Sequence, residues 1–234
     1  MRLSAFGLQS LGIIKNAEEF VYKDRREAAE QLAKKIKGWP LVRPIVLGIP
    51  RGGVVTAAAL ANSIGAELGV VVVKKLRSPW NPELAIGALA EGGRSYLSSY
   101  GRKIELENPA YLKSEIEEQT QELEGRVERL RKTHPRADWA QRSVILTDDG
   151  IATGATFLAA LQVVKAEHPL EVIVAVPVLS REMIKKLKKQ CDKLLYLEAP
   201  EDFLAVGQFY LNFESVPMER VEDLLKENLI RSPN

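Results

Sequence analysis

Two adjacent acids and a short run of small and hydroxyl-bearing residues stand out in VILTDDGIATGAT, residues 144–156. The acids, Asp148 and Asp149, follow an apolar, β-branched segment, 143–146, that predicts a buried strand. Glycines and threonines come next, and a helical pattern begins at Ala155. A strand, loop and helix of this kind present backbone N–H groups and hydroxyls at a helix N-terminus, which favours phosphate binding.

The acidic pair restricts which ligand that loop can hold. Two carboxylates beside a phosphate repel an anionic ligand unless they bind its hydroxyl groups or a divalent cation. A tight strand-to-helix turn that binds nothing is the alternative interpretation. Such a turn requires neither the two acids nor the hydroxyls of Thr153 and Thr156, so the residues favour a binding site.

A second glycine-rich turn, GIPRGG, occupies residues 48–53. The elements around it are predicted to be a strand, a small-residue helix and a second buried strand, at 44–49, 54–64 and 69–74. In parallel α/β sheets, ligands bind at the carboxyl ends of the strands, where this turn lies. Gly52 and Gly53 leave backbone amides open beside the guanidinium of Arg51, which favours anion binding over a plain surface arginine.

The two loops, in this order, resemble those of type I phosphoribosyltransferases. The resemblance covers about 44–97 and 143–197. Members of this family transfer the 5-phosphoribosyl group of 5-phosphoribosyl 1-pyrophosphate to an acceptor nitrogen, release pyrophosphate and use magnesium. The resemblance implies that Asp148 and Asp149 hold the ribose hydroxyls, directly or through Mg²⁺. It also implies that the 5-phosphate is held by Gly150, Ile151, Ala152, Thr153, Gly154, Ala155 and Thr156.

The resemblance assigns the other end of the substrate as well. Pyrophosphate is expected at Arg51, Gly52 and Gly53, with Lys74 and Arg77 neutralising it as it leaves. The peptide bond between Pro50 and Arg51 is expected to be cis or otherwise strained, which turns its amide toward the pyrophosphate.

The expected chemistry agrees with these charges. Formation of the C–N bond passes through an oxocarbenium-like sugar, so positive charge develops on the ribose and negative charge on the leaving group. Carboxylates beside the ring and cations at the far end stabilise that distribution. Replacing Asp149 with asparagine is expected to cut transfer and to leave the fold intact, because crowded, unpaired carboxylates do not stabilise a protein.

Residues 74–93 are expected to form a lid. Two short strands, 85–89 and 94–97, are predicted to make a hairpin that turns at Gly92 and Gly93, and family members carry a mobile catalytic loop here. An ordinary surface hairpin is the alternative. Trp80 could cover an aromatic acceptor or could be a core anchor.

The acceptor is not specified by these motifs. The 6-oxopurine enzymes of the family have an aspartate where this chain has Ala152, so a hypoxanthine or guanine acceptor is disfavoured. Adenine enzymes have alanine at this position and draw an acid from the mobile loop, which Glu83 or Glu91 could supply.

Three further segments surround this core. Asp24 and Glu27 form a capping-box pattern at the start of a helix, in which Arg25 and Arg26 are interpreted as solvated. The segment 109–132 has one apolar stripe, which predicts a long helix with a solvated charged face inside an insertion at about 106–140. The aromatic side chains of 199–215 could form a hood over the acceptor or pack in the core: Phe203, Phe209, Tyr210 and Phe213.

The alternation of strands and helices predicts an α/β fold, a Rossmann-like parallel sheet flanked by helices. We expect one phosphoribosyltransferase-like domain over 1–234, with a lid hairpin, a long inserted helix and a C-terminal hood.

Composition excludes several other classes of protein. Lys and Arg number 33 against 31 Asp and Glu, a net charge of +2 that gives little support to nucleic-acid binding. The single cysteine, Cys191, allows no internal disulfide, and the interrupted apolar run at 3–14 is too short to span a bilayer. We therefore expect a cytoplasmic protein without membrane contact. A homo-oligomer, namely a dimer, is a separate expectation. A regulator that senses phosphoribosyl pyrophosphate and binds RNA or DNA is the alternative to an enzyme.

Overall fold

The computed structural model describes residues 22–82, 84–93 and 95–231. The apolar run at 3–14 therefore lies outside the described residues. The helices of the described part are α1 (Arg25–Ile36), α2 (Gly52–Ile64), α3 (Ser99–Glu107), α4 (Pro109–Arg131), α5 (Ala155–Ala166), α6 (Arg181–Lys188) and α7 (Met218–Arg231). The strands are β1 (Ile45–Gly48), β2 (Glu67–Val70), β3 (Val73–Arg77), β4 (Ala85–Ala90), β5 (Ser95–Leu97), β6 (Ser143–Thr147), β7 (Glu171–Val178) and β8 (Lys193–Glu198).

Five strands form a parallel sheet in the order β2-β1-β6-β7-β8. Side chains of successive residues point to opposite faces of this sheet, because a strand repeats every two residues. Val46 and Ile145 pack toward α1, α2 and α7, whereas Leu47 and Leu146 pack toward α5 and α6. The central strand β6 is buried along its whole length. The strand order explains why its flanking loops meet, since β1 and β6 are neighbours with Gly48 opposite Thr147.

Strands β3, β4 and β5 form a separate antiparallel sheet. The predicted hairpin is confirmed, and it turns through Gly92 and Gly93, whose φ angles of 82° and 76° are accessible to glycine. Arg94, the first residue of the predicted second strand, lies outside the described residues. Strand β4 is a core element, because Ile86 and Leu89 are 0% exposed. The exposed part is the loop between β3 and β4, where Trp80 is 67% exposed and is not a core anchor.

The predicted single strand at 69–74 is wrong. The chain forms β2 and β3 instead, and these strands belong to different sheets. Val71 and Val72, between the two strands, are buried, so the apolar run continues from one strand into the next. The hydrophobic pattern therefore does not show where β2 ends and β3 begins. Among the described helices, none is both long enough and apolar enough to cross a membrane.

Candidate active site

The acidic pair lies at the carboxyl edge of the parallel sheet. Asp148 and Asp149 directly follow β6, and the turn 49–53 directly follows the neighbouring strand β1. A Cβ added at Gly53 would lie 2.5 Å from Oδ1 of Asp148, and one added at Gly52 would fall well inside 3.0 Å of Oδ2 of Asp149. The two predicted loops are thus in contact, and glycine is required at both positions for the acids to approach the main chain.

The predicted phosphate cradle lies at the start of α5. Gly154 adopts φ 75° as the N-cap residue, and a Cβ there would lie 2.6 Å from Sδ of Met183. The first turn of α5 contains no acidic side chain, so its positive dipole end is not neutralised by its own helix. Thr153 and Thr156 are exposed, which leaves both hydroxyls available to a ligand.

The cradle is fastened to the next strand and helix. The N–H of Ile151 donates to the carbonyl of Val178 at 2.9 Å, and the hydroxyl of Ser180 donates to the carbonyl of Ala152 at 2.8 Å. These bonds hold the middle of the loop, between Gly150 and Gly154. The cradle is therefore positioned by β7 and α6 before any ligand arrives.

The peptide bond between Pro50 and Arg51 is cis, as the resemblance predicted. Arg51 itself is exposed, and it immediately precedes α2, whose first turn also lacks an acidic side chain. Two helix N-termini and one arginine therefore flank the acidic pair at this edge of the sheet.

Arg25 corrects the sequence interpretation. It is 8% exposed rather than solvated, and its Nε lies 2.7 Å from Oδ2 of Asp149. Asp149 is consequently a paired carboxylate, so the premise that the two acids are unpaired is wrong, and the effect of Asp149→Asn on stability stays a prediction. Sequence reasoning missed this residue because it stands in a plain amphipathic helix, 124 positions from its partner.

The aromatic segment lies beside the acidic pair. The phenol of Tyr210 donates to the main-chain carbonyl of Asp149 at 2.5 Å, and Tyr210 and Phe213 stack with ring centroids 5.0 Å apart. Burial, followed by the charge of Asp149, raises the pKa of Tyr210, so this phenol remains a donor. Val206 approaches Gly150, where an added Cβ would lie 2.6 Å from it. Core packing is confirmed for Phe209 and Tyr210, which are buried. A hood over the acceptor stays a prediction.

Burial raises the pKa of Asp148 well above its usual range, and the charge of Asp149 raises it further. The guanidinium of Arg25 opposes this shift, as does the N–H of Asp149, which donates to Oδ1 of Asp148 at 2.9 Å. Ionisation of this carboxyl group is therefore more costly in the ligand-free fold than in the unfolded chain.

We expect Asp148→Asn to raise the melting temperature at neutral pH. The pKa of Asp148 is higher in the folded than in the unfolded protein. Its contribution to the free energy of unfolding is therefore complete below the unfolded pKa and is lost as pH rises through the folded pKa. Asparagine carries no such charge and can still accept the N–H of Asp149. Thermal unfolding at several pH values should show a difference between variant and wild type that grows from acidic to neutral pH, and a constant difference would contradict the assignment.

The predicted cations Lys74 and Arg77 lie on β3 and pair with helix α4. Lys74 bonds to Glu122, and Arg77 lies 2.8 Å from the buried Glu115, at 3% exposure, and 2.7 Å from Glu118. The predicted solvated face of this helix is wrong for Glu115, which is buried. A role for Lys74 and Arg77 at pyrophosphate stays a prediction, and it requires these ion pairs to open.

The two acids considered for the acceptor have different outcomes. Glu91 is paired with Arg131 at 2.7 Å, and both side chains are largely buried, so it is not free to bind a base in this conformation. Glu83 lies outside the described residues.

The acidic pair is chemically suited to Mg²⁺. Magnesium is held in proteins by one or two carboxylates together with substrate phosphates and water, and Asp148 and Asp149 offer such a donor set. The absence of side chains at Gly52 and Gly53 lets both carboxylates pack directly against the glycine-rich turn. Within the described residues, no group of three or more His, Cys, Asp or Glu converges on one point.

These features define a class of α/β protein with a ligand site at the carboxyl edge of a parallel sheet, between a glycine-rich turn and a helix N-terminus preceded by two acids. The family model of the phosphoribosyl transferase domain matches residues 16–214. This chain therefore belongs to the phosphoribosyl transferase family.

Similar proteins agree with this family. Two strains of Mycobacterium tuberculosis have proteins named "Putative phosphoribosyl transferase" that are 37% identical to this chain over 201 residues. These matches cover 86% of this chain and 45% of each relative, so the chain spans about half the length of the curated relatives it matches. The crystal structure of TT1426 from Thermus thermophilus is 44% identical, with a TM-score of 0.83 over 88% of this chain and 98% of that one. The predicted fold class, a parallel sheet flanked by helices, is confirmed.

Proposed function

We propose that this chain transfers the 5-phosphoribosyl group of 5-phosphoribosyl 1-pyrophosphate to a nitrogen acceptor and releases pyrophosphate, with Mg²⁺ as cofactor. The observation that carries the proposal is the contact between the two loops. Gly52 and Gly53 lie directly against Asp149 and Asp148, and the cradle that starts at Gly150 follows the acids in the chain. A ligand with a phosphate, vicinal hydroxyls and a pyrophosphate would place these groups at the cradle, the acids and the glycine-rich turn, respectively.

Each part of the site has a distinct role in this proposal. The N–H groups of 150–156 and the hydroxyls of Thr153 and Thr156 bind the 5-phosphate. Asp148 and Asp149 accept the ribose hydroxyls and stabilise the positive charge that develops on the sugar, and Arg51 and the amides of the glycine turn bind the departing pyrophosphate. When bound at the two acids, Mg²⁺ would neutralise charge on the pyrophosphate.

A nucleobase-like acceptor is supported by the aromatic segment beside the acids. Phe203 and Phe209 pair at a centroid distance of 5.2 Å, and Val206 approaches the cradle at Gly150. Ala152 offers no polar group to a 6-oxopurine, so adenine is the first base to test. Dimeric assembly and a cytoplasmic location stay predictions from the sequence.

We expect the double change Thr153→Ala and Thr156→Ala to weaken binding of inorganic phosphate by roughly tenfold or more, because hydrogen bonds to charged groups are worth about 1.5–3 kcal/mol. Both side chains are exposed, so the fold should tolerate the change. Calorimetry would measure the affinity. The matched control is Thr120→Ala on α4, whose hydroxyl donates to Ile116 of its own helix at 2.7 Å. Equal affinity in the wild type, the double variant and the control would show that phosphate does not bind at this loop.

The reaction itself can be tested without knowing the acceptor. Pyrophosphate release is followed with phosphoribosyl pyrophosphate, Mg²⁺ and a panel of nucleobases, starting with adenine. Turnover with any base supports the enzyme. Tight binding of phosphoribosyl pyrophosphate without turnover, together with binding to RNA or DNA, would support the regulator instead.

A further inference from the structure

Arg25 has more contacts than an ordinary ion pair provides. Besides the bond from Nε to Asp149, its Nη1 donates to the main-chain carbonyl of Glu214 at 3.2 Å. The guanidinium carbon Cζ lies over the ring of Phe213, 3.8 Å from the centroid. A Cβ at Gly52 would lie 3.1 Å from the same Nε. The arginine thus contacts the acidic pair, the aromatic segment and the pyrophosphate turn at once.

The main chain around Arg25 is fixed independently of the ion pair. Asp24 caps α1 by accepting the N–H groups of Arg26 and Glu27 at 2.9 and 3.0 Å. The N–H of Tyr22 donates to Phe209 at 2.8 Å, and Tyr22 in turn accepts the N–H of Leu211 at 2.8 Å. The start of α1 and the aromatic segment therefore form one hydrogen-bonded unit that holds the guanidinium at Asp149.

The positive charge of Arg25 balances part of the negative charge of Asp148 and Asp149. Two adjacent, partly buried carboxylates repel each other, and a site that binds vicinal hydroxyls needs both of them to accept hydrogen bonds. A neighbouring cation relieves that repulsion, and Arg25 is held in place by the protein itself. Its end-on contact through Nε uses Oδ2 of Asp149 and leaves Oδ1 for a ligand.

We propose that Arg25 is the resident counter-ion of the acidic pair, so that Asp148 and Asp149 bind ribose hydroxyls without a divalent cation. This inference rests on the proposed function, because it assumes that a phosphoribosyl group occupies the site. Magnesium would then serve the pyrophosphate end of the substrate rather than ribose recognition. Arg25 is a positioning residue, since it acts on the ligand through Asp149.

Calorimetry with ribose 5-phosphate tests the proposal, because this ligand has the phosphate and hydroxyls but no pyrophosphate to chelate the metal. Wild-type protein should bind it with the same affinity in EDTA and in Mg²⁺. Arg25→Met, which keeps an unbranched apolar side chain, should bind roughly tenfold or more weakly in EDTA and recover in Mg²⁺. The matched control is Arg26→Met, next to it on α1, whose side chain is 77% exposed and pairs along the helix with Glu30.

Inorganic phosphate separates a local effect from unfolding. Its affinity should be unchanged in Arg25→Met, because phosphate binds at the cradle and does not touch the acids. If Arg25→Met does not fold, the wild type still tests the proposal. A tenfold or larger loss of its affinity for ribose 5-phosphate in EDTA would overturn the counter-ion role. Equal dependence on Mg²⁺ in wild type and Arg25→Met would also overturn it. Phosphate binding without any ribose 5-phosphate binding in the wild type would instead contradict the proposed function.

Discussion

Replacing Asp149 with asparagine is expected to lower the rate of phosphoribosyl transfer by about 10²- to 10³-fold and to lower the melting temperature as well. The rate falls because one preorganised charge facing the developing oxocarbenium is lost. Stability falls because Arg25, with a side chain 10% exposed, loses its anionic partner. Asparagine can still accept a hydrogen bond from Nε of Arg25, and the change removes the repulsion between residue 149 and Asp148. We therefore expect the free energy of unfolding to fall by about 1–3 kcal/mol.

Steady-state pyrophosphate release and thermal unfolding measure the two effects separately. Asp223→Asn is the matched control, since this acid is exposed on α7, and it should change neither quantity. Full turnover in Asp149→Asn would show that the mechanism is wrong. A raised melting temperature with reduced turnover would instead show that the pair with Arg25 does not stabilise the fold.

A methyl group at Gly52 should be as damaging as the loss of a catalytic charge. The added Cβ of Gly52→Ala would overlap Oδ2 of Asp149, so either the ion pair with Arg25 opens or the start of α2 moves. Overpacking of this kind costs about 1–3 kcal/mol, and a displacement of ~1 Å at a reacting group can cost about 10²-fold in rate. Turnover, ribose 5-phosphate affinity and the melting temperature should all fall.

The chain offers a matched control for that change in Gly125, which lies exposed on α4 with no atom within 4 Å of an added Cβ. Gly125→Ala should stabilise the protein by about 0.5–1 kcal/mol, because alanine is the better helix former. If Gly52→Ala also raised stability and kept its activity, the contact between the two loops would not be the site.

The sequence predicted those features whose signal is local. The strand before Asp148, the helix after Gly154, the hairpin around Gly92 and the cis bond at Arg51 each depend on a short stretch of residues or on one family motif. Buried β-branched residues, glycines at special positions and strand order then bring the two loops together, because parallel neighbours end at the same edge of a sheet.

Long-range pairs of charges were not predictable in this way. Arg25 and Asp149 are 124 positions apart, and Arg77 pairs with Glu115 across 38, with no periodicity that links either pair. An arginine in an amphipathic helix has the same sequence pattern whether its guanidinium meets water or a buried carboxylate. Likewise, an unbroken apolar run at 69–74 does not show where the chain leaves one sheet for another.

The pairing of Tyr22 with the aromatic segment has a consequence for synthesis on the ribosome. Arg25 is made early, Asp149 follows 124 residues later, and the carbonyl of Glu214 follows Arg25 by 189. Phe213, which covers the guanidinium of Arg25 in the complete fold, is made 64 residues after Asp149. The full set of contacts around Arg25 can therefore form only after residues 206–214 have been made, which is later than the last strand of the parallel sheet.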